Sequence, residues 1–293
     1  MTAGFSIHNS NSRQTIMMCA PDHFAVNYVI NPWMENNCGK TDAAASHQQW
    51  QNYKNHLSRF ADIVLIDPAM GLPDMVYTAN AALVLNDVAV LSRFRNAERS
   101  GEEPLFGRFL ADRGFSVIHC PANILFEGAG DALIDRGQDI IWAGYGFRSD
   151  RSSHGFLSDA LGCKVVGLHL IDPRYYHLDT CLCPLDGGYM MYHPAAFDAD
   201  SIRAIESVIP PEKRIIVDAS DAAKFACNAV DLNGHVFMNH ASDGLQARLR
   251  ECGFTTVTAP LGQFLLGGGA AKCLTLKLID QLPSKSISQS RAA

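Results

Sequence analysis

Apolar and polar segments alternate along this chain in a pattern that recurs about every 45 to 51 residues. In each repeat, a short apolar run leads into a polar segment, and a second apolar stretch with a turn near its middle follows. Short apolar runs bounded by turn residues predict strands, and two runs joined by a turn predict a hairpin. The pattern therefore predicts five units, each made of a strand, a polar loop, a hairpin and a helix.

The predicted elements occupy corresponding places in the five units. The leading strands begin at Asp62, Phe115, Val165, Arg214 and Phe254, and the apolar stretches after the polar loops begin at Ala82, Ala132, Cys181, Ala229 and Leu274. Turn residues divide three of these stretches, at Asn86-Asp87, Asp186-Gly-Gly188 and Asn233-Gly234. Helical periodicity recurs between the strands, at residues 43–60, 104–113, 151–161, 199–209 and 242–252.

Five such units can close into a propeller-like array that brings all five polar loops to one axis. An ordinary doubly wound α/β sheet also alternates strands with helices, but hairpins after each polar loop do not suit an all-parallel sheet. We therefore expect a closed α/β array that forms a single domain over residues 1–282. The serine-rich segment over residues 283–293 is expected to be a flexible tail.

The composition indicates a soluble chain that can bury a large core. Of the 293 residues, 47% are apolar and 18% are charged, and the net charge is −6. No basic cluster suits a nucleic-acid or membrane surface, and no apolar stretch reaches the roughly 18 to 20 residues of a membrane span. We therefore expect a small-molecule partner, with no nucleic acid and no membrane.

Nine cysteines, an odd number, are scattered along the chain. Cys181-Leu-Cys183 lacks the second pair that a zinc site requires, and the histidines lack the spacing of a metal-binding helix. Residues 1–12 are polar and lack the apolar core of a signal peptide. These features predict free thiols in a reducing cytosol, a cytoplasmic location, no metal and no cofactor.

Cys273 differs from the other cysteines because it follows a loop that contains Gly267 to Gly269 and precedes an apolar run. Adjacent glycines let a backbone approach a ligand closely, and the following strand would hold the thiol in place. A cysteine nucleophile also needs a base or an acid and a fixed site for the electrophile. Cys273 is therefore the candidate nucleophile, provided that other polar loops supply these groups.

Other polar loops carry a histidine and several acids. His177 lies directly before an apolar strand, and Asp179 would share its face in an extended chain. Glu127 and Asp131 flank Gly128-Ala-Gly130, a bend that would leave one carboxylate free to orient the histidine. The nucleophile, the base and the carboxylates thus occupy equivalent places in different units, which favours a shared site.

Each of these residues also has an ordinary structural interpretation. His177 could be a partly exposed hydrogen-bonding residue and Cys273 a small buried apolar one. Asp179 could be a turn acid, and Asn80 and Asn228 could cap local structure. No single residue decides between these interpretations.

Several motifs resemble those of guanidine-modifying enzymes. Phe126-Glu-Gly-Ala-Gly-Asp131, His177-Leu-Asp-Thr180 and the glycine-rich loop before Cys273 are similar to motifs of arginine deiminases, dimethylargininases and amidinotransferases. The likeness covers nearly the whole chain, and it implies the pentein fold of that superfamily, a five-bladed β/α propeller with pseudo-fivefold symmetry. Within the superfamily, further motifs resemble most closely the arginine dihydrolases, which convert arginine to ornithine, carbon dioxide and two ammonia molecules. These motifs are Asn31-Pro-Trp-Met34, Pro73-Asp-Met-Val-Tyr-Thr-Ala-Asn80, Tyr145-Gly-Phe-Arg148, Phe225-Ala-Cys-Asn228 and Gly268-Gly-Ala-Ala-Lys-Cys273.

The resemblance implies a role for each matching residue. Cys273 would attack the guanidinium carbon and form a covalent thiouronium intermediate. His177 would protonate departing ammonia and then activate water, while Glu127 would hold His177 in position. Asp179 would accept hydrogen bonds from the guanidinium. The other implied substrate-binding residues are Arg148 and Arg99 at the substrate carboxylate, Asn31 at the pocket mouth, Asp131 and Asn80.

One position departs from the deiminase pattern. Where deiminases carry Phe-Thr-Arg-Asp, this chain reads Tyr77-Thr-Ala-Asn80. A carboxylate suits a cationic guanidinium, whereas an asparagine both donates and accepts hydrogen bonds. Asn80 would therefore hold neutral citrulline for a second attack by Cys273, so that the reaction continues to ornithine.

Other functions are compatible with the same residues. A dimethylargininase or an arginine deiminase would use the same nucleophile and histidine and would stop at citrulline. An amidinotransferase would replace water by an acceptor amine, and a non-catalytic amino-acid-binding protein would keep the pocket alone. A homo-oligomer is possible, but the sequence does not determine the oligomeric state, the regulation or the guanidino substrate.

Overall fold

Strands in the described part of the chain form five three-stranded sheets that share one topology. The computed structural model describes residues 13–135 and 137–278, so the predicted boundary at 282 and the tail over residues 283–293 lie outside the described residues. In every sheet, the middle strand pairs antiparallel with one neighbour and parallel with the other. The sheets contain β1 (Gln14–Cys19), β2 (Ala61–Ile66) and β15 (Leu276–Lys277); β3 (Ala82–Leu85), β4 (Val88–Leu91) and β5 (Ser116–His119); β6 (Ala132–Asp135), β7 (Ile140–Tyr145) and β8 (Lys164–His169); β9 (Leu182–Leu185), β10 (Tyr189–Tyr192) and β11 (Arg214–Ile216); and β12 (Val230–Leu232), β13 (His235–Met238) and β14 (Thr255–Thr258).

Each stretch of predicted helical periodicity contains a helix. The helices are α1 (Ala43–Leu57), α2 (Ala97–Ser100), α3 (Glu103–Ala111), α4 (Gly128–Asp131), α5 (Ser153–Leu161), α6 (Ala199–Val208), α7 (Ala219–Ala222), α8 (Asp243–Glu251) and α9 (Gly262–Leu265). α1 begins after Asp42, whose side chain accepts a hydrogen bond from Ala45 N at 2.9 Å and so caps the helix. On the buried face of α1, the Tyr53 hydroxyl donates to Ala271 O at 2.9 Å. α1 therefore fixes the loop that precedes Cys273.

The predicted hairpins form, but the sheets cross the unit boundaries that the sequence repeat predicts. β3 and β4 pair antiparallel across Asn86-Asp87, with Ala82 opposite Leu91. β5, the leading strand of the next unit, pairs parallel with β4. A parallel neighbour requires a crossover connection, and α3 supplies it between β4 and β5. The helix after each hairpin thus returns the chain to the sheet it has just left.

The first sheet joins the two ends of the described chain. β1 pairs parallel with β2 and antiparallel with β15, with Met17 opposite Leu276. Leu278 N also donates to Thr15 O at 2.8 Å. β1 was not predicted, because the fifth unit of the repeat ends with one apolar run and its partner strand lies at the other end of the sequence.

Apolar side chains between the sheets and helices form three buried clusters. One surrounds Trp142 and the strands β9, β10, β11 and β13, and a second surrounds Phe106 and the strands β3 to β6. The third lies beneath α1 and includes Tyr53 and Cys273. The candidate nucleophile is therefore anchored in a core and not in an exposed loop.

Short helical turns carry three of the polar loops into the strands that follow them. The 3-10 helices Thr78–Ala81 and Leu178–Thr180 lead to β3 and β9, and α4 leads directly into β6. α4 contacts both of these 3-10 helices, so the three polar loops lie side by side. Further 3-10 helices are Pro73–Val76, Pro173–Tyr175, Asp186–Gly188, Pro194–Ala196 and Pro211–Lys213. None of the helices in the described ranges combines the length and apolarity needed to cross a bilayer.

Candidate active site

Five polar loops that are far apart in sequence meet in one ring of hydrogen bonds. The first loop reaches the second through Asn80 Nδ2, which donates to Glu127 O at 3.4 Å. The second reaches the third because Glu127 Oε2 lies 2.7 Å from His177 Nε2. A further bond joins the same two loops, since Leu178 N donates to Asp131 Oδ1 at 3.0 Å.

The fourth and fifth loops complete the ring. Asn228 Nδ2 donates to Asp179 O at 3.0 Å and to Cys273 Sγ at 3.1 Å. Ala79 N then donates to Cys273 O at 3.1 Å, which connects the fifth loop to the first. The predicted nucleophile, histidine and carboxylates are thus brought together from separate loops.

Cys273 is buried with 2% of its surface exposed, and its sulfur lies between an amide and a carboxylate. Asn228 holds the residue at both ends, because its Oδ1 also accepts from Cys273 N at 3.1 Å. Asp179 Oδ2 lies 3.6 Å from Sγ. Burial and the nearby Asp179 carboxylate raise the pKa of Cys273 well above its ordinary value. Burial and Asp179 therefore favour the thiol of Cys273, and a cation placed beside the sulfur would favour the thiolate.

The three glycines before Cys273 are required by close packing within the protein. A Cβ at Gly267 or Gly269 would collide with the Tyr77 side chain. Gly268 has φ +86°, and a Cβ there would lie 2.8 Å from Asn31 Oδ1. The structure thus gives the glycines a packing role against side chains, and the predicted close approach of this loop to a ligand stays a prediction.

His177 is held by a buried carboxylate that also pairs with an arginine. Glu127 Oε2 accepts from Arg148 Nη1 at 2.9 Å and lies 2.7 Å from His177 Nε2. Burial opposes ionisation of Glu127, but the Arg148 charge and the bond to His177 outweigh it and hold the Glu127 pKa well below its ordinary value. Because Nε2 faces Glu127, the predicted proton exchange between His177 and a substrate would use Nδ1.

Asp179 is a buried carboxylate beside the sulfur of Cys273. Its side chain is 1% exposed. Burial raises the Asp179 pKa to about 7, although the Lys272 charge and bonds with Cys273 and Asn228 act in the opposite direction. A carboxyl group with a pKa of about 7 ionises readily when a cation lies beside it.

Asp131 is buried and has protein partners for both of its oxygens. Oδ2 accepts from the Ser149 hydroxyl at 2.7 Å, and Oδ1 accepts from Leu178 N at 3.0 Å. Burial raises the Asp131 pKa to about 6. In the structure Asp131 fixes the loop that carries His177, and direct contact with a substrate stays a prediction.

The two arginines predicted to bind the substrate carboxylate are both buried at the site. Arg99 forms a fork with Glu102 and donates from Nη1 to Asn80 Oδ1 at 2.8 Å. Arg148 stacks on the Tyr176 ring at 4.6 Å, in addition to its bond with Glu127. Carboxylate binding by either arginine stays a prediction, since the structure shows their protein partners alone.

Asn31 lies in the loop that connects β1 to α1, and its predicted position at a pocket mouth stays a prediction. Its Nδ2 donates to Gly267 O at 3.0 Å, and its Oδ1 accepts from Trp33 N at 2.9 Å. Tyr176 binds the same glycine-rich loop, because its hydroxyl donates to Gly268 O at 2.6 Å. Asn31 therefore ties the loop between β1 and α1 to the glycine-rich loop.

Asp74 belongs to the motif Pro73-Asp-Met-Val-Tyr-Thr-Ala-Asn80, but no role was predicted for it. It is 1% exposed, and Oδ2 accepts from the Tyr28 hydroxyl at 2.9 Å. Oδ1 is buried without a hydrogen-bond partner, and burial raises the Asp74 pKa. A buried carboxylate oxygen without a partner is costly, so this atom is a candidate ligand for a substrate cation.

Asn228 is a second residue to which no catalytic role was given. The segment before it is unusual, since Phe225 is fully buried and has φ +59°. Bulky residues rarely adopt this left-handed conformation, and such strain concentrates at functional sites. The motif that ends at Asn228 was the available signal, but the sequence alone did not connect that amide to the thiol.

Comparisons with known proteins agree with this geometry. The family model described as N,N dimethylarginine dimethylhydrolase, eukaryotic, matches residues 20–280. The bifunctional arginine dihydrolase/ornithine cyclodeaminase ArgZ of Synechocystis is 52% identical over 91% of this chain, which spans 38% of the length of that protein. The N(G),N(G)-dimethylarginine dimethylaminohydrolase of Mycobacterium tuberculosis is 38% identical over 89% of this chain and 84% of its own length.

A solved structure gives the same result in three dimensions. The N-terminal domain of ArgZ, a cyanobacterial arginine dihydrolase, was solved as a cysteine-to-serine mutant bound to substrate. It superposes with a TM-score of 0.91 and 51% identity, over 92% of this chain and 100% of that domain. The chain therefore belongs to the dimethylarginine dimethylhydrolase family, within the guanidine-modifying superfamily of pentein fold that its motifs predicted.

Proposed function

We propose that this chain is an arginine dihydrolase, which hydrolyses the guanidino group of arginine twice to give ornithine, carbon dioxide and two ammonia molecules. One observation carries the proposal: Cys273, His177 and Asp179 share a ring of hydrogen bonds with an amide, Asn80, where deiminases have a carboxylate. The 52% identity to ArgZ and the 51% identity to its substrate-bound domain support it.

Carboxylates would bind the two cationic groups of the substrate, the guanidinium and the α-ammonium group. Asp179 accepts hydrogen bonds from the guanidinium, and the unpartnered Asp74 Oδ1 accepts from the α-ammonium group. Arg99 and Arg148 donate to the α-carboxylate beside Asp74. This pattern of charges complements an amino acid with a cationic side chain.

Substrate binding would activate the nucleophile. The Cys273 pKa is raised because the thiol is buried and lies beside Asp179. A guanidinium between Sγ and Asp179 would neutralise that carboxylate and stabilise a thiolate. A cationic substrate would therefore promote the thiolate that makes the first attack.

In the first hydrolysis, Cys273 Sγ forms a bond to the guanidinium carbon. The tetrahedral adduct collapses with loss of ammonia, which takes a proton from His177, and a thiouronium ester is left. His177 then removes a proton from water, which attacks the same carbon. The C–S bond breaks, which frees Cys273 and leaves citrulline bound in the site.

In the second hydrolysis, Cys273 attacks the ureido carbon of the citrulline that is still bound. A second ammonia leaves with a proton from His177, and an S-carbamoyl ester remains. Water adds to this ester, the C–S bond breaks, and the resulting carbamate decarboxylates to ornithine. The ureido oxygen becomes negative in the second adduct, so a hydrogen-bond donor near it is required.

The proposal is tested by incubating the protein with arginine and measuring ornithine and citrulline over the time course. Ornithine should accumulate while citrulline stays at a low steady level. Citrulline as the sole final product would show that the protein is a deiminase.

A second candidate function is the hydrolysis of dimethylarginine. The family model and the 38% identity to the dimethylaminohydrolase of Mycobacterium tuberculosis favour it. Parallel assays with arginine and dimethylarginine separate the two, because a dimethylaminohydrolase would release dimethylamine and citrulline. We expect kcat/KM to be higher for arginine.

We also propose that the five sheets close around one axis as the blades of a β/α propeller with pseudo-fivefold symmetry. Three observations support this arrangement: the shared topology of the sheets, the pairing of β1 with β15, and the ring of hydrogen bonds that follows the order of the loops. An experimental structure with the sheets in an open row would contradict it.

A further inference from the structure

We propose that Glu102 is a positioning residue that fixes which end of the Asn80 amide faces the substrate and thereby sets whether the reaction continues past citrulline. This inference rests on the proposed dihydrolase function. Glu102 touches neither the nucleophile nor the histidine, and it would act through Arg99.

Glu102, Arg99 and Asn80 form a continuous buried chain. Glu102 is fully buried, and its Oε1 and Oε2 accept from Arg99 Nε at 2.9 Å and Nη2 at 2.8 Å. Such a two-point fork fixes the plane of a guanidinium. The remaining terminal nitrogen, Nη1, donates to Asn80 Oδ1 at 2.8 Å.

The chemistry of arginine determines the orientation of the amide. A guanidinium has donors and no acceptor, so the atom of Asn80 that faces Arg99 must be the oxygen. The other end of the amide lies 3.4 Å from Glu127 O, which is an acceptor. Both neighbours therefore require the same orientation, with the NH2 group turned away from Arg99.

The NH2 group of Asn80 lies close to the His177 ring, because both border the same small space at Gly130. A Cβ built at Gly130 would collide with Asn80 Nδ2, and the His177 ring carbon Cγ lies 3.4 Å from the same position. Asn80 therefore offers a hydrogen-bond donor near Glu127 and His177.

A donor at this position favours the second hydrolysis. The ureido group of citrulline has an oxygen that becomes negative when Cys273 attacks, whereas the guanidinium of arginine has only nitrogen atoms around its carbon. A preorganised N–H stabilises such an oxygen. If the amide were reversed, Asn80 would present an acceptor to that oxygen and would weaken the binding of citrulline.

Glu102 is needed because Arg99 has a competing anion nearby. Arg99 Nη2 already donates to Asp74 O at 3.1 Å, and the carboxylate of the same residue has the unpartnered Oδ1. Glutamine at position 102 would keep one acceptor but would place an NH2 group against the N–H groups of Arg99. Without the fork, Arg99 is free to turn from Asn80 toward Asp74.

The test compares Glu102→Gln with Glu98→Gln, a matched control on an exposed position of α2. We expect Glu102→Gln to raise the ratio of released citrulline to ornithine about tenfold, which corresponds to about 1.4 kcal/mol. With citrulline supplied as substrate, kcat/KM should fall by a similar factor. The control should keep the wild-type ratio.

The product ratio separates positioning from a loss of structure. Unfolded molecules lower the total rate but leave the ratio of products from the folded ones unchanged. Circular dichroism checks the fold, and Glu102→Asp, which keeps the charge with a shorter reach, serves as a second variant with an intermediate ratio expected.

The outcomes distinguish this inference from the function on which it rests. Wild-type protein that yields citrulline alone would overturn both. Wild-type protein that yields ornithine, together with unchanged ratios in the folded Glu102 variants, would overturn the role of Glu102 and leave the dihydrolase function intact.

Discussion

Replacing Asp179 by asparagine should slow the turnover of arginine while making the thiol of the free enzyme more reactive. Asp179 Oδ2 lies 3.6 Å from Cys273 Sγ, and both side chains are buried. The carboxylate attracts a guanidinium and at the same time raises the pKa of Cys273. Removing its charge therefore has opposite effects on the two measurements.

The size of the first effect follows from the lost hydrogen bonds. A hydrogen bond to a charged group contributes about 1.5 to 3 kcal/mol, and each 1.4 kcal/mol is about tenfold. We therefore expect kcat/KM for arginine to fall about 10- to 150-fold. Citrulline has no positive charge, so its kcat/KM should fall much less.

The second effect is measured by alkylation. The free Asp179→Asn enzyme should react faster with iodoacetamide than wild type at every pH below the pKa of Cys273, because a larger fraction is thiolate. Mass spectrometry of the peptide that contains Cys273 follows this residue among the other cysteines. Asp200→Asn, at an exposed position on α6, is the control for the substitution itself. Slower alkylation, or arginine turnover equal to wild type, would refute the placement of Asp179 between thiol and substrate.

Three further predictions follow from the same geometry. Asn80→Asp should shift the product from ornithine to citrulline, because a carboxylate has no donor for the ureido oxygen, and chromatography that finds undiminished ornithine would remove Asn80 from the mechanism. Asp74→Asn should raise KM for arginine about tenfold with a smaller change in kcat, since it removes a contact with the α-ammonium group that is the same in substrate and transition state; an unchanged KM would argue against that contact. The kcat/KM for arginine should fall as the pH drops below about 7, because burial raises the Asp179 pKa to about 7 and the carboxylate is neutral at lower pH. A pH profile that is flat from about 5.5 to 8 would contradict this assignment.

Elements with local signals could be predicted from the sequence. The hairpin of β3 and β4 has two apolar runs separated by Asn86-Asp87, and both strands form where these runs lie. The helix α8 likewise falls within its stretch of periodicity and begins after Ser242, whose side chain accepts from Leu245 N at 3.2 Å. In such elements the residues that determine the structure are close together in the chain.

Contacts between distant residues left no such signal. β1 was missed because its partner β15 lies at the opposite end of the sequence. The position of Arg99 among buried polar groups was equally hidden, since a charged side chain in a sequence does not reveal whether Glu102, Asn80 or a substrate is its partner. The resemblance to known motifs supplied the candidate residues, whereas the structure supplied the contacts between them.

The most direct test of the account is the amount of ammonia released per arginine consumed. Two successive attacks by Cys273 on the same carbon predict two ammonia molecules per arginine in the wild-type enzyme and none in a folded Cys273→Ser variant. A ratio of one in the wild type, or ammonia release by the serine variant at the wild-type rate, would contradict the account.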